Sequence, residues 1–202
     1  MREILAMSAK GEVPPASVSR DDGHLIESRV ESEDVFRGRM LHVKSDTVHL
    51  PDGTEATREF VVHPGAAMII PRLPDGKLLF ERQYRYPLSR VFVEFPAGKV
   101  DPGEDPLTAA KRELTEETGY TAARWTHLAK MHPVISYSTE QIDIFVADEL
   151  THVGTQLDAG EFIETFSASL DDALAWLDRG DVTDGKTMLG LLLMARRAAA
   201  EA

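Results

Sequence analysis

The sequence predicts an α/β fold, arranged as an α/β/α sandwich with a mixed sheet and preceded by a small N-terminal antiparallel β-sheet.

 

Three observations carry this prediction. Residues 26–62 alternate between apolar and polar side chains as strands do, and a Pro51-Asp52-Gly53 turn divides them. Apolar strand-like segments then lie on both sides of one amphipathic helical segment, residues 106–118, in the middle of the chain. Two further helical segments end the sequence, so helices are available to cover the central sheet.

The composition narrows the class of protein. A chain of 202 residues is long enough for one well-packed core. The formal net charge of −12 argues against a nucleic-acid-binding surface, and the absence of cysteine excludes disulfides and thiolate metal sites. No apolar run reaches the length of a membrane span, and residues 1–16 lack the apolar core of a signal peptide. We therefore expect a cytoplasmic protein with neither a membrane nor a nucleic acid as partner.

Three segments follow one another along the chain. Residues 1–24 have turn and coil composition and predict a flexible tail. Residues 25–62 predict the N-terminal β-sheet, and residues 63–202 predict the main domain. A sheet this small is only marginally stable alone, so we expect it to pack on a partner.

Two strands precede the central helix as a hairpin. Residues 66–73 form an apolar run, Pro74-Asp75-Gly76 is a turn, and residues 77–85 return. The segment 83–87, Gln-Tyr-Arg-Tyr-Pro, combines aromatic rings with an arginine, which suits stacking on a base and holding phosphate. The alternative, ordinary half-buried strand residues, is equally consistent with these letters.

The central helix has clear ends. Asp105 is a good N-cap, Pro106 suits the first helical position, and Gly119 is a good C-terminal stop. A buried stripe at helical spacing is formed by Leu107, Ala110, Leu114 and Thr118. We also predict that Arg112, on this helix, pairs with Glu104 in the preceding loop.

Three acids stand near the C-terminal end of this helix. Glu113 and Glu117 are one turn apart on one face, and Glu116 lies beside them. Such crowding is unfavourable because like charges repel and the helix C-terminus already carries partial negative charge. A hard divalent cation such as Mg²⁺, which prefers several oxygen ligands, would relieve the conflict. The alternative is a solvated acidic face.

The stretch around this helix has a fixed spacing of residue types. It reads Gly, five residues, Glu, seven residues, then Arg-Glu-aliphatic-x-Glu-Glu-x-Gly-hydrophobic, and the matching positions are Gly98, Glu104, Arg112, Glu113, Leu114, Glu116, Glu117, Gly119 and Tyr120. Tyr120 is aromatic where the pattern usually has an aliphatic residue. The sequence therefore resembles the Nudix hydrolases. That resemblance implies hydrolysis of a nucleoside diphosphate linked to another moiety, with Mg²⁺ as cofactor and Mn²⁺ as a substitute.

The resemblance also implies roles for individual residues. The metal ligands it implies are the carbonyl of Ala97 and the carboxylates of Glu113, Glu116 and Glu117. The implied catalytic residues are Glu161, as the base after the helix, with Glu116 and Arg112; Glu140 and Glu164 are the alternatives to Glu161. The implied substrate-binding residues are Arg58, Arg85 and Glu94. Glu94 interrupts an apolar run, and simple pairing with an arginine is the other interpretation.

The segment after the helix suggests a subclass. Pro133 and the run from Ser138 to Glu149 resemble the ADP-ribose pyrophosphatases, which cleave ADP-ribose to AMP and ribose 5-phosphate. Another nucleotide sugar such as GDP-mannose, and a non-catalytic domain that senses ADP-ribose, remain as alternatives. The same resemblance implies a homodimer that exchanges its N-terminal sheets.

The last elements form the scaffold. Residues 125–132 and 141–147 predict strands, and residues 161–166 predict another. A capped helix covers residues 169–180, and the last helix runs from Lys186 to about Ala200.

Overall fold

The computed structural model describes residues 22–155, 157 and 160–201. The predicted flexible tail therefore lies almost entirely outside the described residues. The described chain forms two compact units, one of residues 22–33 and 45–58 and the other of residues 34–44 and 59–201. Within the described residues, no helix is long and apolar enough to cross a membrane.

Three strands make up the N-terminal sheet, in the order β1-β2-β3. They are β1 (Ser28–Arg37), β2 (His42–His49) and β3 (Glu55–Val61). The turn between β2 and β3 is held by Asp52, whose carboxylate accepts hydrogen bonds from the amide and hydroxyl of Thr54 at 2.9 and 2.6 Å. Every residue of β1 is exposed.

Seven strands form two further sheets in the larger unit. The strands are β4 (Ala66–Pro71), β5 (Leu78–Arg85), β6 (Arg90–Glu94), β7 (Ala97–Lys99), β8 (Tyr120–Met131), β9 (Ile142–His152) and β10 (Ile163–Ala168). One sheet has the order β10-β5-β6 and the other β7-β4-β9-β8. The second sheet is mixed, because β4 and β9 are parallel while the other neighbours are antiparallel.

Three helices accompany these sheets: α1 (Pro106–Thr118), α2 (Leu170–Arg179) and α3 (Gly185–Glu201). As predicted, the Asp105 carboxylate caps α1 by accepting from the amides of Leu107 and Thr108, and Gly119 ends the helix in a left-handed conformation at φ 73°. Ser169 caps α2 in the same way, accepting from the amide of Asp172.

The core lies on both faces of the mixed sheet. Alternate residues of β4 point to opposite sides of the sheet. Ala67 and Ile69 pack with apolar side chains of α1, and Met68 and Ile70 pack on the other side with apolar side chains of α2 and α3. On the second side, Phe80 and Phe95 stack at 4.6 Å between ring centroids. This arrangement confirms the predicted mixed α/β fold and gives α1 a rigid base.

Two strand boundaries differ from the predictions in a way that affects the site. Strand β8 begins at Tyr120, directly after α1, rather than at Trp125, because it pairs with the end of β9 as far as His152. Strand β10 begins at Ile163 rather than at Glu161, because its pairing with β5 begins there, opposite Gln83. Glu161 therefore lies in the loop before the strand.

Candidate functional site

A polar cavity of about 900 Å³ opens in the larger unit. Its walls come from the ends of β4, β5 and β9, from the β7 segment, from one face of α1 and from the start of α3. Both cationic and anionic side chains line it, including Arg85, Arg112, Lys186, Glu113, Glu116, Glu117, Glu140 and Glu161. The volume falls in the range of pockets that hold small organic ligands.

Helix α1 supplies the acids because its opposite face is anchored in the core. Leu114 and Ala110 are fully buried against the mixed sheet, which turns Glu113, Glu116 and Glu117 toward the cavity. The Glu113 carboxylate lies directly against Gly98 of β7. A Cβ atom added to Gly98 would lie 1.9 Å from Cδ and Oε1 of Glu113, so only glycine leaves room for that carboxylate.

Glu117 is the most deeply placed of these acids. It is 5% exposed, and its Oε2 accepts a hydrogen bond from the amide of Ala97 at 3.1 Å. Burial raises the pKa of Glu117 to about 10, and the nearby carboxylates of Glu81, Glu113 and Glu161 act in the same direction. Burial likewise raises the pKa of Glu113. The ionised carboxylates of Glu113 and Glu117 are therefore costly in this buried setting unless a cation lies beside them.

Arg112 ties this acidic face to the preceding loop. Its guanidinium donates to Glu104 at 3.1 and 3.2 Å, which confirms the predicted pair, and to the carbonyl of Lys99 at 2.9 Å. The same group donates to Glu113 at 2.7 Å and to Glu116 at 3.0 Å. These hydrogen bonds and ion pairs raise the pKa of Arg112 further above its ordinary value.

A second charged group borders the cavity at β5 and β6. Arg85 forms a bidentate ion pair with Glu94, in which Nε donates to Oε1 at 2.7 Å and Nη2 donates to Oε2 at 2.9 Å. Glu94 is only 3% exposed. Lys186, at the start of α3, donates to the same Glu94 carboxylate and to Asp184 at 3.0 Å. Glu94 therefore pairs with cations, as the simpler sequence interpretation holds, and it fixes Arg85 in the cavity wall.

The three candidates for a base after α1 take different positions. Glu161 and Glu140 line the cavity. Glu164 instead lies on β10, 68% exposed at its side chain, and pairs with Arg82 at 3.0 Å. The geometry thus favours Glu161 or Glu140 over Glu164.

The donor set suits a divalent metal ion. Several carboxylates face one cavity, and the hard oxygen donors they offer are those that Mg²⁺ and Mn²⁺ take. Across residues 22–155, 157 and 160–201, no three His, Asp or Glu side chains already converge as a ligand set. Glu113 and Glu116 each bond Arg112 through one carboxylate oxygen, so a metal ion that binds there would share these carboxylates with the guanidinium.

The model of the NUDIX domain matches residues 62–192, which is more than half of the chain. The chain belongs to the Nudix family. A second model, the nucleoside diphosphate sugar hydrolase N-terminal domain, matches residues 27–61.

Individual relatives place the chain within the Nudix family. It is 36% identical over 180 residues to the ADP-ribose pyrophosphatase of Bacillus subtilis (strain 168), covering 88% of this chain and 97% of that protein. It is also 36% identical over 172 residues to the methanol dehydrogenase activator of Bacillus methanolicus, covering 84% and 93% of the two chains. A crystal structure of an ADP compounds hydrolase superposes with a TM-score of 0.78 at 27% identity, covering 87% of this chain and 96% of that one.

Most of the site residues predicted from the Nudix resemblance lie around the cavity. Ala97, Arg85 and Glu161 line it together with Arg112 and the acids of α1. Glu94 lies behind Arg85. Arg58 belongs to the N-terminal unit, where it pairs with Glu27 at 2.5 and 2.9 Å. The roles of all these residues remain predictions.

Sequence reasoning missed two residues of this region. Lys186 was assigned only to the start of the last helix, yet it lines the cavity and holds Glu94, 92 residues away in sequence. Glu81 has no predicted role in the sequence, yet it is a fully buried residue of β5. A charged residue directly at the end of an apolar run, as in Leu-Leu-Phe-Glu, is the only local signal for Glu81.

Proposed function

We propose that this Nudix protein hydrolyses the pyrophosphate bond of ADP-ribose, giving AMP and ribose 5-phosphate, with Mg²⁺ as cofactor. The observation that carries the proposal is the gathering of Glu113, Glu116 and Glu117 on one cavity that also holds Arg85. Similarity to a protein named ADP-ribose pyrophosphatase over 88% of the chain supports the substrate.

In this proposal the metal ions activate water and offset the negative charge of the pyrophosphate. Glu113, Glu116, Glu117 and the carbonyl of Ala97 would hold them. Arg112 keeps α1 and the Glu104 loop together, so that the carboxylates stay at one wall of the cavity. Ordered charges of this kind supply most of the rate enhancement in reactions at phosphorus.

The other residues of the cavity act on the substrate and on water. Arg85, held by the buried Glu94, presents its cation to a phosphate of the substrate. Glu161, in the loop before β10, orients the attacking water and accepts its proton.

We further propose that the chain acts as a homodimer. The exposed strand β1 carries apolar side chains at Val30 and Phe36, which lie on one face of the strand and are each more than half exposed. Such a strand is a suitable surface for a second copy of the chain.

Phosphate release tests the reaction directly. Alkaline phosphatase removes phosphate from AMP and ribose 5-phosphate but not from the intact pyrophosphate, so coupled release reports cleavage. We expect rapid Mg²⁺-dependent cleavage of ADP-ribose, tested beside GDP-mannose, NADH and diadenosine compounds. Preference for another compound would keep the hydrolase and change the substrate.

The variant Glu113→Gln tests the role of the three acids of α1. We expect it to reduce turnover by more than about 100-fold and to leave the fold intact. Loss of a residue that only orients a metal ligand costs up to about 100-fold, and Glu113 is proposed to be a ligand itself. Glu149→Gln, an exposed acid of β9 paired with Arg124 at 3.5 Å, is the control and should retain wild-type turnover. Wild-type turnover by Glu113→Gln would exclude the assigned metal role.

A second candidate is regulation of a partner enzyme. It is favoured by the similarity to a protein named methanol dehydrogenase activator. Tight binding of ADP-ribose without turnover of any compound in the panel would favour this role, or that of a sensor, over hydrolysis.

A further inference from the structure

Glu81 is a buried acid without a hydrogen-bond partner. Its side chain is 0% exposed, and neither Oε1 nor Oε2 has a partner within the part of the chain that the structure describes. A buried carboxylate of this kind is costly to the fold unless something compensates it. The surroundings of Glu81 indicate what that could be.

The position of Glu81 on β5 places it beneath the cavity. Side chains alternate along a strand, so Glu81 lies on the same face as Gln83 and Arg85, and both of those residues line the cavity. Across the antiparallel pair, Glu81 stands opposite Glu94. It therefore continues the cavity-facing row of β5 one step into the interior.

The cations near Glu81 already pair with other acids. Arg85 and Lys186 both bond Glu94, and Lys186 also bonds Asp184. The remaining charged neighbours are acids: the charges of Glu94 and Glu161 raise the pKa of Glu81, and the charge of Glu81 raises the pKa of Glu117. Glu81 thus borders the metal-binding acids and the proposed base.

We propose that Glu81 is a positioning residue of the metal site, whose buried carboxylate accepts hydrogen bonds from water bound to the metal ions. This inference rests on the proposed function. A carboxylate that bonds to the ligands of a metal ion, rather than to the ion itself, orients those ligands and strengthens metal binding. The metal ions and their water would then supply the partners that Glu81 lacks within the chain.

Mn²⁺ binding to the metal-free protein tests the proposal without any turnover. Titration calorimetry with Mn²⁺ should show that Glu81→Gln, which keeps the shape but removes the charge, weakens binding about tenfold. Glu81→Leu should weaken it at least as much, while being as stable as the wild type or more so in EDTA, because it removes a buried acid without partners. This second variant keeps the test open if the first folds poorly.

Asp46→Asn is the matched control. Asp46 is also a buried acid with an unpartnered oxygen, but it belongs to β2 of the N-terminal unit, and its variant should bind Mn²⁺ as the wild type does. Wild-type affinity in both Glu81 variants would overturn the proposal and leave the hydrolase intact. Absence of Mn²⁺ binding by the wild type would instead contradict the proposed metal site, and this inference with it.

Discussion

Gly98 shows how a single residue sets the position of a carboxylate in the cavity wall. An added Cβ would overlap the end of the Glu113 side chain, which can move, rather than backbone, which cannot. We expect Gly98→Ala to retain the fold but to weaken Mg²⁺ activation by about tenfold or more. The measurement is turnover as a function of Mg²⁺ concentration.

Gly190 provides the comparison for Gly98. A Cβ added there would meet core side chains instead, with Cε of Met68 at 2.9 Å and Cε2 of Phe95 at 3.1 Å. Gly190→Ala should therefore lower the free energy of unfolding by up to about 2 kcal/mol, since an overpacking cost of about 1–3 kcal/mol is reduced by about 1 kcal/mol from the preference of a helix for alanine over glycine. It should leave the Mg²⁺ dependence unchanged. An unchanged Mg²⁺ dependence in Gly98→Ala would show that the site tolerates displacement of Glu113.

The buried carboxyl group of Glu81 should make the stability of the metal-free protein depend on pH. Burial, aided by the charge of Glu94, raises the pKa of Glu81 from 4.5 to about 7, while Lys186 and Arg85 oppose the shift. Because the folded chain holds this proton more tightly than the unfolded chain, the stabilisation is complete below pH 4.5 and is lost as the pH rises toward 7. Glu81→Gln, which does not titrate, should remove this part of the slope.

Urea unfolding in EDTA checks this expectation. We expect the wild type to lose stability relative to Glu81→Gln between about pH 5 and about pH 8. Glu113 and Glu117 titrate in both proteins, and because Glu81 raises the pKa of Glu117, the difference between the two curves reports Glu81 together with its effect on Glu117. Parallel curves would mean that Glu81 does not change its protonation in this range.

Among the elements, α2 depends on a single cap. Ser169 accepts from the amide of Asp172 at 3.1 Å, and α2 buries Ala173 against the core. Ser169→Ala should lower the free energy of unfolding by about 1 kcal/mol, measured by chemical denaturation. Ser169→Asn keeps a side-chain acceptor and should be close to the wild type. Equal losses in both variants would argue against the cap as the cause.

The elements also show what the sequence could and could not predict. Helix α1 was predicted with its N-cap, its C-terminal glycine and the Arg112–Glu104 pair because these signals lie within a few residues of one another. Strand β8 was predicted to begin too late, since pairing with β9 rather than local composition sets its start at Tyr120. Lys186 and Glu81 were missed because only sheet pairing and the docking of α3 bring them to the site.

At the scale of the whole molecule, the proposed homodimer predicts a sensitivity at β1. We expect the wild type to sediment as a dimer, and Phe36→Asp to shift it toward monomer because the change places a charge on the face of β1 that carries Val30 and Phe36. Sedimentation velocity at several concentrations measures the distribution. Leu192→Asp on α3, where the residue is 54% exposed as Phe36 is, is the control and should stay dimeric. A monomeric wild type at every concentration would contradict the proposed homodimer.

The ion pairs of Arg112 leave an excess of negative charge at one wall of the cavity. A single guanidinium pairs with three carboxylates, those of Glu104, Glu113 and Glu116. One positive charge therefore offsets only part of three negative ones within the chain. A cation that binds at Glu113 or Glu116 would supply the missing charge, but it would share these carboxylates with the guanidinium that already holds them.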